Sequence, residues 1–450
     1  MKNSINLSIK SLFDEKKINT DVKLTGWIKF IREHKSIIFI EFMDGSIFKT
    51  IQLVIKRENF DNFEDIKDDI SIGSAIEIFG TLIENNKNEL EIICKDISVI
   101  GKCIDEYPLQ NKIHGNEFLR EISHIRSRTK YFNIVFDIRS FLFNTINNYF
   151  YKNNFKWVST PILSSSDAEG AGDVFNISDK DFFNSEASLS VTGQLHLEAM
   201  ALSYKNVYTL GPQFRAEKSH TSRHLSEFWM LEAEMNFMNL DQLMIFMEDM
   251  VKHFASELLK NKKDEIAYLD SLNNGLIDKL ENLVNNEFAK KSYREAIEIL
   301  KEARDSKKVT FQNNDIDFGT DLDSEHERYL CEKHFQKPTF IYNYPTAIKA
   351  FYMKRNNDET VKGVDLLVPL IGELCGGSER ENNHNNLMEN MKDKNIPLEE
   401  LSWYLELRKY GYASSSGFGM GFERLIMFLT GVENIKDTIP FARAHENIKF

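Results

Sequence analysis

The sequence predicts an α+β chain, with an N-terminal β-barrel of the OB type followed by a larger region in which antiparallel strands and helices mix. Three observations carry this. Residues 20–104 contain five β-branched runs, "DVKLTGWIKF", "SIIFIEFMDGS", "FKTIQLVIKR", "SAIEIFGTLIE" and "ELEIICKDISVIG", broken by turn residues at Asp44-Gly45 and Asn85-Asn86. Five strands in about eighty residues fit a small closed barrel. Residues 207–217 and 226–237 read as a hairpin whose connecting loop is crowded with cations. Downstream, Leu243, Phe246, Met247, Met250, Phe254 and Leu258 recur at helical spacing.

In chain order, residues 1–104 form the barrel domain. Such barrels act either as structural or dimerisation modules or as binders of oligonucleotides and oligosaccharides, and the strands alone leave both open. Residues 105–130 mix Pro, Gly and charge and read as a hinge. The stretch 131–152, "YFNIVFDIRSFLFNTINNYFYK", has helical length but is apolar almost all round, so it should be buried on more than one side. Pro161 in the strand-like run that follows implies an edge or irregular position. Asn239 is an N-cap with Gln242 as its partner. A helical insertion then runs from about residue 241 to about 335 within a domain spanning 131–450.

The 450 residues include 56 Lys+Arg and 69 Asp+Glu, a formal net charge of -13. That disfavours nucleic-acid binding through bulk charge, but not through local basic patches. No run is long and apolar enough to cross a membrane. The first residues lack a secretory h-region, and the four cysteines show no CxxC or zinc spacing. A reduced, cytoplasmic protein is expected.

Against that acidic background, "FRAEKSHTSRHLSEFWMLEAEM" gathers Arg215, Lys218, His220, Arg223 and His224 into ten residues. Strand periodicity puts Gln213, Arg215 and Glu217 on one face. In the partner strand, Phe228, Met230, Glu232 and Glu234 share one face, and Trp229, Leu231, Ala233, Met235 and Phe237 form the buried one. A face with Arg, carboxylates and a ring can hold a flat base, a phosphate and an amine together; a solvated hairpin with surface ion pairs is the plain alternative. In "SSSGFGMGFERLIMFLTG", the alternating Gly417, Gly419 and Gly421 leave one strand face bare, where a base could lie. A helix follows, with Arg424 in its first turn and Gly431 at its end. In "KGVDLLVPLIGELCGGSER", Asp365 and Glu373 flank a short turn, a pair suited to Mg²⁺ near phosphate, and Gly376-Gly377 allow close backbone approach.

Together these stretches resemble the class II aminoacyl-tRNA synthetases and, within them, the asparaginyl-tRNA synthetase family. "EYPLQNKIHGNEFLREISHIRSRT", "SSDAEGAGDVF", "VTGQLHLEA", the hairpin, "IKAFYMK", "GELCGGSERE" and "GFGMGFERLIMFLTGVENIKDTIPF" follow the family pattern in order over nearly the whole chain. The resemblance implies an OB anticodon-binding domain and a class II catalytic domain, an antiparallel sheet flanked by helices. It also implies ATP, L-asparagine and tRNA(Asn) as substrates, Mg²⁺ with the ATP, and a homodimer through residues 131–161.

Carried over by position, the resemblance gives Arg215 to the α-phosphate and Glu217 to the adenine amino group. Phe228 would stack on adenine, with Arg424 covering its other face and reaching the γ-phosphate. Arg223 and His224 would lie in the phosphate loop, and Asp365 and Glu373 would bind Mg²⁺. Glu169 and Gln194 would take the substrate's amino end, Glu232 and Arg380 its side-chain amide. In the barrel, Phe39 would stack on an anticodon base and Gln52 would hydrogen-bond to one. The family pattern is broken by Ala233 within its usual acid-Pro-acid run, by Thr346, and in the tail around Arg443. Aspartyl-tRNA synthetases share these motifs but carry Lys where this chain has Leu197, so Leu197 is expected to line the pocket and disfavour aspartate. Two other readings are a paralogue that has lost charging, and an asparagine-making ligase. The first conflicts with the presence of Arg215, Arg424, Asp365 and Glu373, the second with the barrel.

Overall fold

The five N-terminal β-rich runs form the five strands of a closed barrel in this computed structural model, which describes residues 7–60, 67–165 and 174–450. They are β1 (Thr20–His34), β2 (Ile37–Met43), β3 (Ile51–Lys56), β4 (Ala75–Glu84) and β5 (Leu90–Gly101), in the order β1-β2-β3-β5-β4. Period-2 alternation fills the barrel: Val22, Leu24, Ile28, Ile38, Ile40, Phe42, Ile76 and Ile78 all point into one apolar cluster. The residues between them, Phe39 and Glu41 among them, are left on the outer surface. Gly45 takes the positive φ of 79° that the β2–β3 connection requires.

The chain divides into two compact units, Met1–Ile134 and Val135–Phe450. The boundary falls inside the helix Lys130–Lys152, so the expected hinge at 105–130 belongs to the first unit, where it carries the short helices Asn116–Glu121 and Ser123–Arg126.

The second unit is built on an eight-stranded sheet of order β12-β13-β14-β15-β16-β11-β10-β6. Its strands are β6 (Lys156–Trp157), β10 (Asn206–Phe214), β11 (Glu227–Asn236), β12 (Ala289–Ser292), β13 (Thr339–Tyr342), β14 (Gly363–Val368), β15 (Gly372–Glu379) and β16 (Ser415–Gly421). The six central strands are antiparallel to their neighbours; only edge strands β6 and β12 pair in parallel. Three short strands, β7 (Leu163–Ser164), β8 (Asn176–Ile177) and β9 (Ala187–Leu189), make a separate small sheet. Pro161 falls in the break between β6 and β7, where its missing N–H costs no ladder bond.

The helix Leu240–Asn261 starts at the expected capping box, Asn239 Oδ1 accepting from Gln242 N and Gln242 Oε1 accepting from Asn239 N, both at 3.0 Å. Such a cap contributes about 1 kcal/mol. Its apolar stripe is buried as the spacing required. The helical insertion, by contrast, is not purely helical. Strand β12 lies within it and extends the main sheet, because "AKKS" pairs alongside β13.

Two further expectations change. The helix Lys130–Lys152 buries one stripe, including Phe132, Val135, Ile138, Leu142, Ile146 and Phe150, rather than its whole circumference. Phe143 and Tyr151 on that helix, and Trp157, Ile162 and Leu163 just after it, stay exposed. On the buried face of β11, Leu231, Ala233 and Met235 are fully covered, but Phe237 is 70% exposed because the strand has ended and its φ is 63°.

Candidate active site

The charged loop between β10 and β11 closes on itself by Arg215 N donating to Ser226 O at 3.0 Å. Strand β10 stops at Phe214, so Arg215 and Glu217 belong to the loop and not to a strand face. Even so, Arg215, Glu217, Arg223, His224, Phe228, Glu373 and Arg424 line one cavity of about 310 Å³. The Arg215 guanidinium lies 5.5 Å from the Phe228 ring centroid, a cation–π contact. Arg223 Nη1 donates to Ile371 O at 2.7 Å, and Arg424 Nη1 to Glu373 O at 2.9 Å. The helix Phe422–Thr430 that carries Arg424 is fixed by its neighbour Glu423, which accepts from Trp229 N at 2.9 Å and pairs with Arg139 at 2.7 Å. Burial lowers the His224 pKa; Glu217 opposes this, while Arg424, Arg223 and Arg215 add repulsion. Burial and the Arg328 and Arg424 charges likewise lower Arg223. Three guanidiniums and an imidazole gathered in one cavity suit a polyanion.

A second cavity of about 180 Å³ shares Arg215, Met230, Glu373 and Gly419 with the first, and is also lined by Gln194, Glu232, Lys349, Asp365 and Arg380. Glu232 is held by Thr192 Oγ1, by Gly193 N at 2.9 Å and by Gln213 Nε2 at 3.3 Å. Arg380, 2% exposed, donates from Nε and Nη2 to the two oxygens of Glu234, and from Nη1 to Ser378 Oγ at 2.7 Å. Behind it lies Glu198, 3.8 Å from Arg380 and bonded to Arg408 Nη2 at 2.9 Å, to Tyr404 Oη at 2.8 Å and to Tyr412 Oη at 2.6 Å. Burial alone would protonate Glu198, but Arg408 and Arg380 outweigh it and hold the carboxyl below its usual range. Burial opposes the charge on Arg380, yet Glu234 and Glu198 hold the guanidinium above its usual range. The group is a fully satisfied buried ionic network that fixes one orientation of Arg380.

Sequence reasoning missed Glu198, Arg408 and the two tyrosines, and it read Gly417 as a seat for a base. The β11–β16 register sets Glu234 opposite Gly417, where an added Cβ would lie 2.2 Å from the Glu234 carboxylate. The bare glycine face makes room for the acid that holds Arg380. No single-strand signal reveals that pairing.

The expected acid pair does converge. Asp365 on β14 and Glu373 on β15 approach the position of a Gly376 Cβ to within 3.2 and 3.0 Å, so a side chain there would press on both acids. A third carboxylate, Glu327, accepts from Glu373 N at 3.0 Å, and burial together with Glu373 and Asp365 pushes it up to about 8. Lys349 donates to Asp365 at 2.6 Å. Asp365 and Glu373 bring two carboxylates to one cavity wall, an all-oxygen pair that fits Mg²⁺.

Other positions differ. Leu197, on the helix Gln194–Tyr204, is fully buried against Ala201 of the same helix and Val207 of β10 and lines neither cavity, while its neighbour Glu198 joins the ionic network. The expectation that Leu197 lines the pocket is therefore not met. Leu197→Lys should destabilise the fold by forcing an ammonium into an apolar cluster, by roughly 2 kcal/mol or more. It should leave the Asn/Asp preference of the folded fraction unchanged; thermal melts and amino-acid-dependent exchange check both. Glu169 lies outside the described residues. Phe39 and Gln52 stand on the outer face of the barrel: Phe39 is half-buried with the Arg32 guanidinium 5.0 Å from its centroid, and Gln52 Nε2 donates to Glu91 at 2.9 Å. None of the four cysteines forms a disulfide. Among the described residues no helix is long and apolar enough to cross a membrane.

Comparison with known proteins agrees with this geometry. Residues 115–445 match the family of tRNA synthetases class II (D, K and N), and residues 22–100 match the OB-fold nucleic acid binding domain. The chain is 49% identical over 451 residues to an asparagine–tRNA ligase of Malacoplasma penetrans, covering 99% of each chain. It is 47% identical to that of Mycoplasmoides gallisepticum, again over 99% of each. Among solved structures it superposes with TM-score 0.89 on the asparaginyl-tRNA synthetase from Pyrococcus horikoshii complexed with asparaginyl-adenylate, at 30% identity over 98% of this chain and 99% of that one. A barrel ahead of an antiparallel sheet, a cationic cavity opening into an amide-sized one, and these full-length matches have one reading: the chain belongs to the asparagine–tRNA ligases, a branch of the class II tRNA synthetases.

Proposed function

We propose that this chain joins L-asparagine to ATP as asparaginyl-adenylate and then passes the acyl group to tRNA(Asn), releasing AMP and pyrophosphate. The observation that carries this is the junction of the two cavities at Arg215 and Glu373, where an amino-acid carboxylate from one side would meet an α-phosphate from the other. The carboxylate oxygen attacks the α-phosphorus and pyrophosphate leaves; a ribose hydroxyl of the tRNA end then attacks the acyl carbon and AMP leaves. No side chain need act as nucleophile, so alignment and charge stabilisation do the work.

In this reading Arg215 neutralises charge building on the α-phosphate, and Phe228 and Arg424 sandwich adenine while Glu217 accepts from its amino group. Arg223, His224 and Arg424 hold the departing phosphates. Asp365 and Glu373 would hold Mg²⁺, which screens triphosphate charge when bound. Gln194 and Glu169 hold the amino end of asparagine. Glu232 accepts from the amide NH₂, and Arg380 donates to the amide oxygen. Glu232 is buried on the wall of this cavity, and a second carboxylate brought against it would meet like charge, which favours a neutral amide. Incubation with tRNA(Asn) and labelled asparagine tests the whole reaction; absence of charged tRNA in the presence of ATP and Mg²⁺ contradicts it.

The barrel is assigned to the anticodon. Phe39, with Arg32 over its ring on an open strand face, offers a stacking platform, and Gln52 a hydrogen-bonding amide. Phe39→Ala should weaken tRNA binding by about 1–3 kcal/mol and leave adenylate formation intact, measured by filter binding beside pyrophosphate exchange.

We assign a homodimer to the surface of residues 131–161 and a cytoplasmic location to the enzyme. The apolar side chains left uncovered at Phe143, Tyr151 and Trp157 support the first, as surface that a second copy would cover. Light scattering should give twice the chain mass; an active monomer at assay concentration contradicts the dimer.

A further inference from the structure

We infer that His220, His445 and Glu446 form a binding site for a divalent transition-metal ion of the Zn²⁺ class, and that the ion clamps the loop between β10 and β11 to the C-terminal segment. One donor atom from each residue lies within 4.8 Å of the other two. His220 Nε2 is 4.0 Å from a Glu446 carboxylate oxygen, and the two imidazole centroids are 4.8 Å apart. The donors come from segments more than two hundred residues apart, and the C-terminal pair is held on a built turn. Ala444 and Asn447 exchange both backbone hydrogen bonds, at 3.1 and 2.9 Å, so His445 and Glu446 are the two central residues of a tight hairpin. Glu446, the second central residue, takes a positive φ of 58°, as in a type II turn. The turn is docked at the foot of the loop, where Ser226 N donates to Arg443 O at 2.8 Å and Glu227 bridges Arg443. Arg443 also donates to Phe450 O at 2.5 Å, which folds the terminal residues back on the turn.

The donor set is two imidazoles and one carboxylate, with room for water as the fourth ligand. That set suits Zn²⁺ and its neighbours and disfavours Mg²⁺, which prefers oxygen. Ligands at about 2.0–2.2 Å from a tetrahedral ion lie roughly 3.5 Å apart, so the donors must close by about an ångström. His220 and Glu446 are exposed and can rotate that far with little repacking. None of the three residues touches the groups assigned to ATP or asparagine. His220 nevertheless sits in the same loop as Arg223 and His224, so an ion bound there restrains the loop whose side chains are proposed to hold the departing phosphates. Metal uptake stands independently of that proposal; only the effect on rate rests on it.

Zn²⁺ is the probe, added to the full chain in excess Mg²⁺ so that all-oxygen sites are already filled. Calorimetry should show saturable uptake of one ion per chain, and the double variant His220→Asn/His445→Asn should bind more than about 10-fold more weakly. Lys218 and Arg223 flank His220, so Zn²⁺ should also slow tryptic cleavage of the loop in the wild type and not in the double variant. Without Zn²⁺ the two proteins should exchange pyrophosphate equally; with it, only the wild type should slow. Uptake that survives the double substitution, or no uptake, overturns the site. Uptake without loop protection overturns the clamp. Protection without any change in rate refutes only the role given to the loop.

Discussion

Arg215→Ala should lower asparagine-dependent ATP–pyrophosphate exchange by roughly 10²–10³-fold, about 3–4 kcal/mol of transition-state stabilisation. Arg215 is shared by both cavities and stacks against Phe228, so it is fixed before either substrate arrives. A charge held in place costs no reorganisation when the α-phosphate becomes five-coordinate, and this is why its loss should appear in kcat more than in the KM for asparagine. Arg215→Lys should recover only part of the rate, because an ammonium keeps the charge but loses the planar fork. Exchange near the wild-type rate in a folded Arg215→Ala protein would remove this residue from the reaction centre.

Glu234→Gln is the second substitution with a large expected effect, and it acts through Arg380. Breaking a buried pair from one side leaves the other charge uncompensated, typically at a cost of about 3–5 kcal/mol. Glu198, 3.8 Å from Arg380, supplies part of the missing charge, so the lower end of that range is expected. Chemical denaturation should show the loss. Kinetically, the KM for asparagine should rise while that for ATP stays nearly constant, since Glu234 lies beside the amide cavity and away from Phe228 and Arg424. A pure stability loss with both KM values unchanged would make the network structural only.

What the sequence made legible follows from how local each feature is. The barrel could be read because alternation in β1 to β5 is a period-2 signal contained within each strand. The capping box at Asn239 and Gln242 spans four residues, and the helix end at Gly431 is set by its positive φ of 72°. All seven residues carried over to the ATP site line one cavity although they come from three distant stretches, which the family resemblance joined and local spacing could not.

Features that depend on register or on distant packing were not legible. Leu197 and Glu198 are adjacent, and only the seating of their helix on β10 and β11 decides which one turns inward. Glu198 meets Arg408 across 210 positions and Arg380 meets Glu234 across 146, distances over which a single sequence carries no pairing signal. Strand β12 was hidden because "AKKS" at a sheet edge has little hydrophobic pattern to display. The apolar circumference of the helix Lys130–Lys152 was visible, but which stripe of it is buried, and that Phe143 and Tyr151 stay exposed, depends on the elements packed against it.

The central claim is that these cavities select asparagine, and amino-acid-dependent ATP–pyrophosphate exchange tests it most directly. The wild-type chain is assayed with asparagine and with aspartate, at equal concentration and saturating ATP and Mg²⁺. Robust exchange with asparagine and a kcat/KM for aspartate lower by as much as about 10⁴-fold is the expected result, since a site built around one hydrogen-bonding pattern rejects the charged analogue strongly. Comparable exchange with both amino acids, or exchange with aspartate alone, would contradict the account.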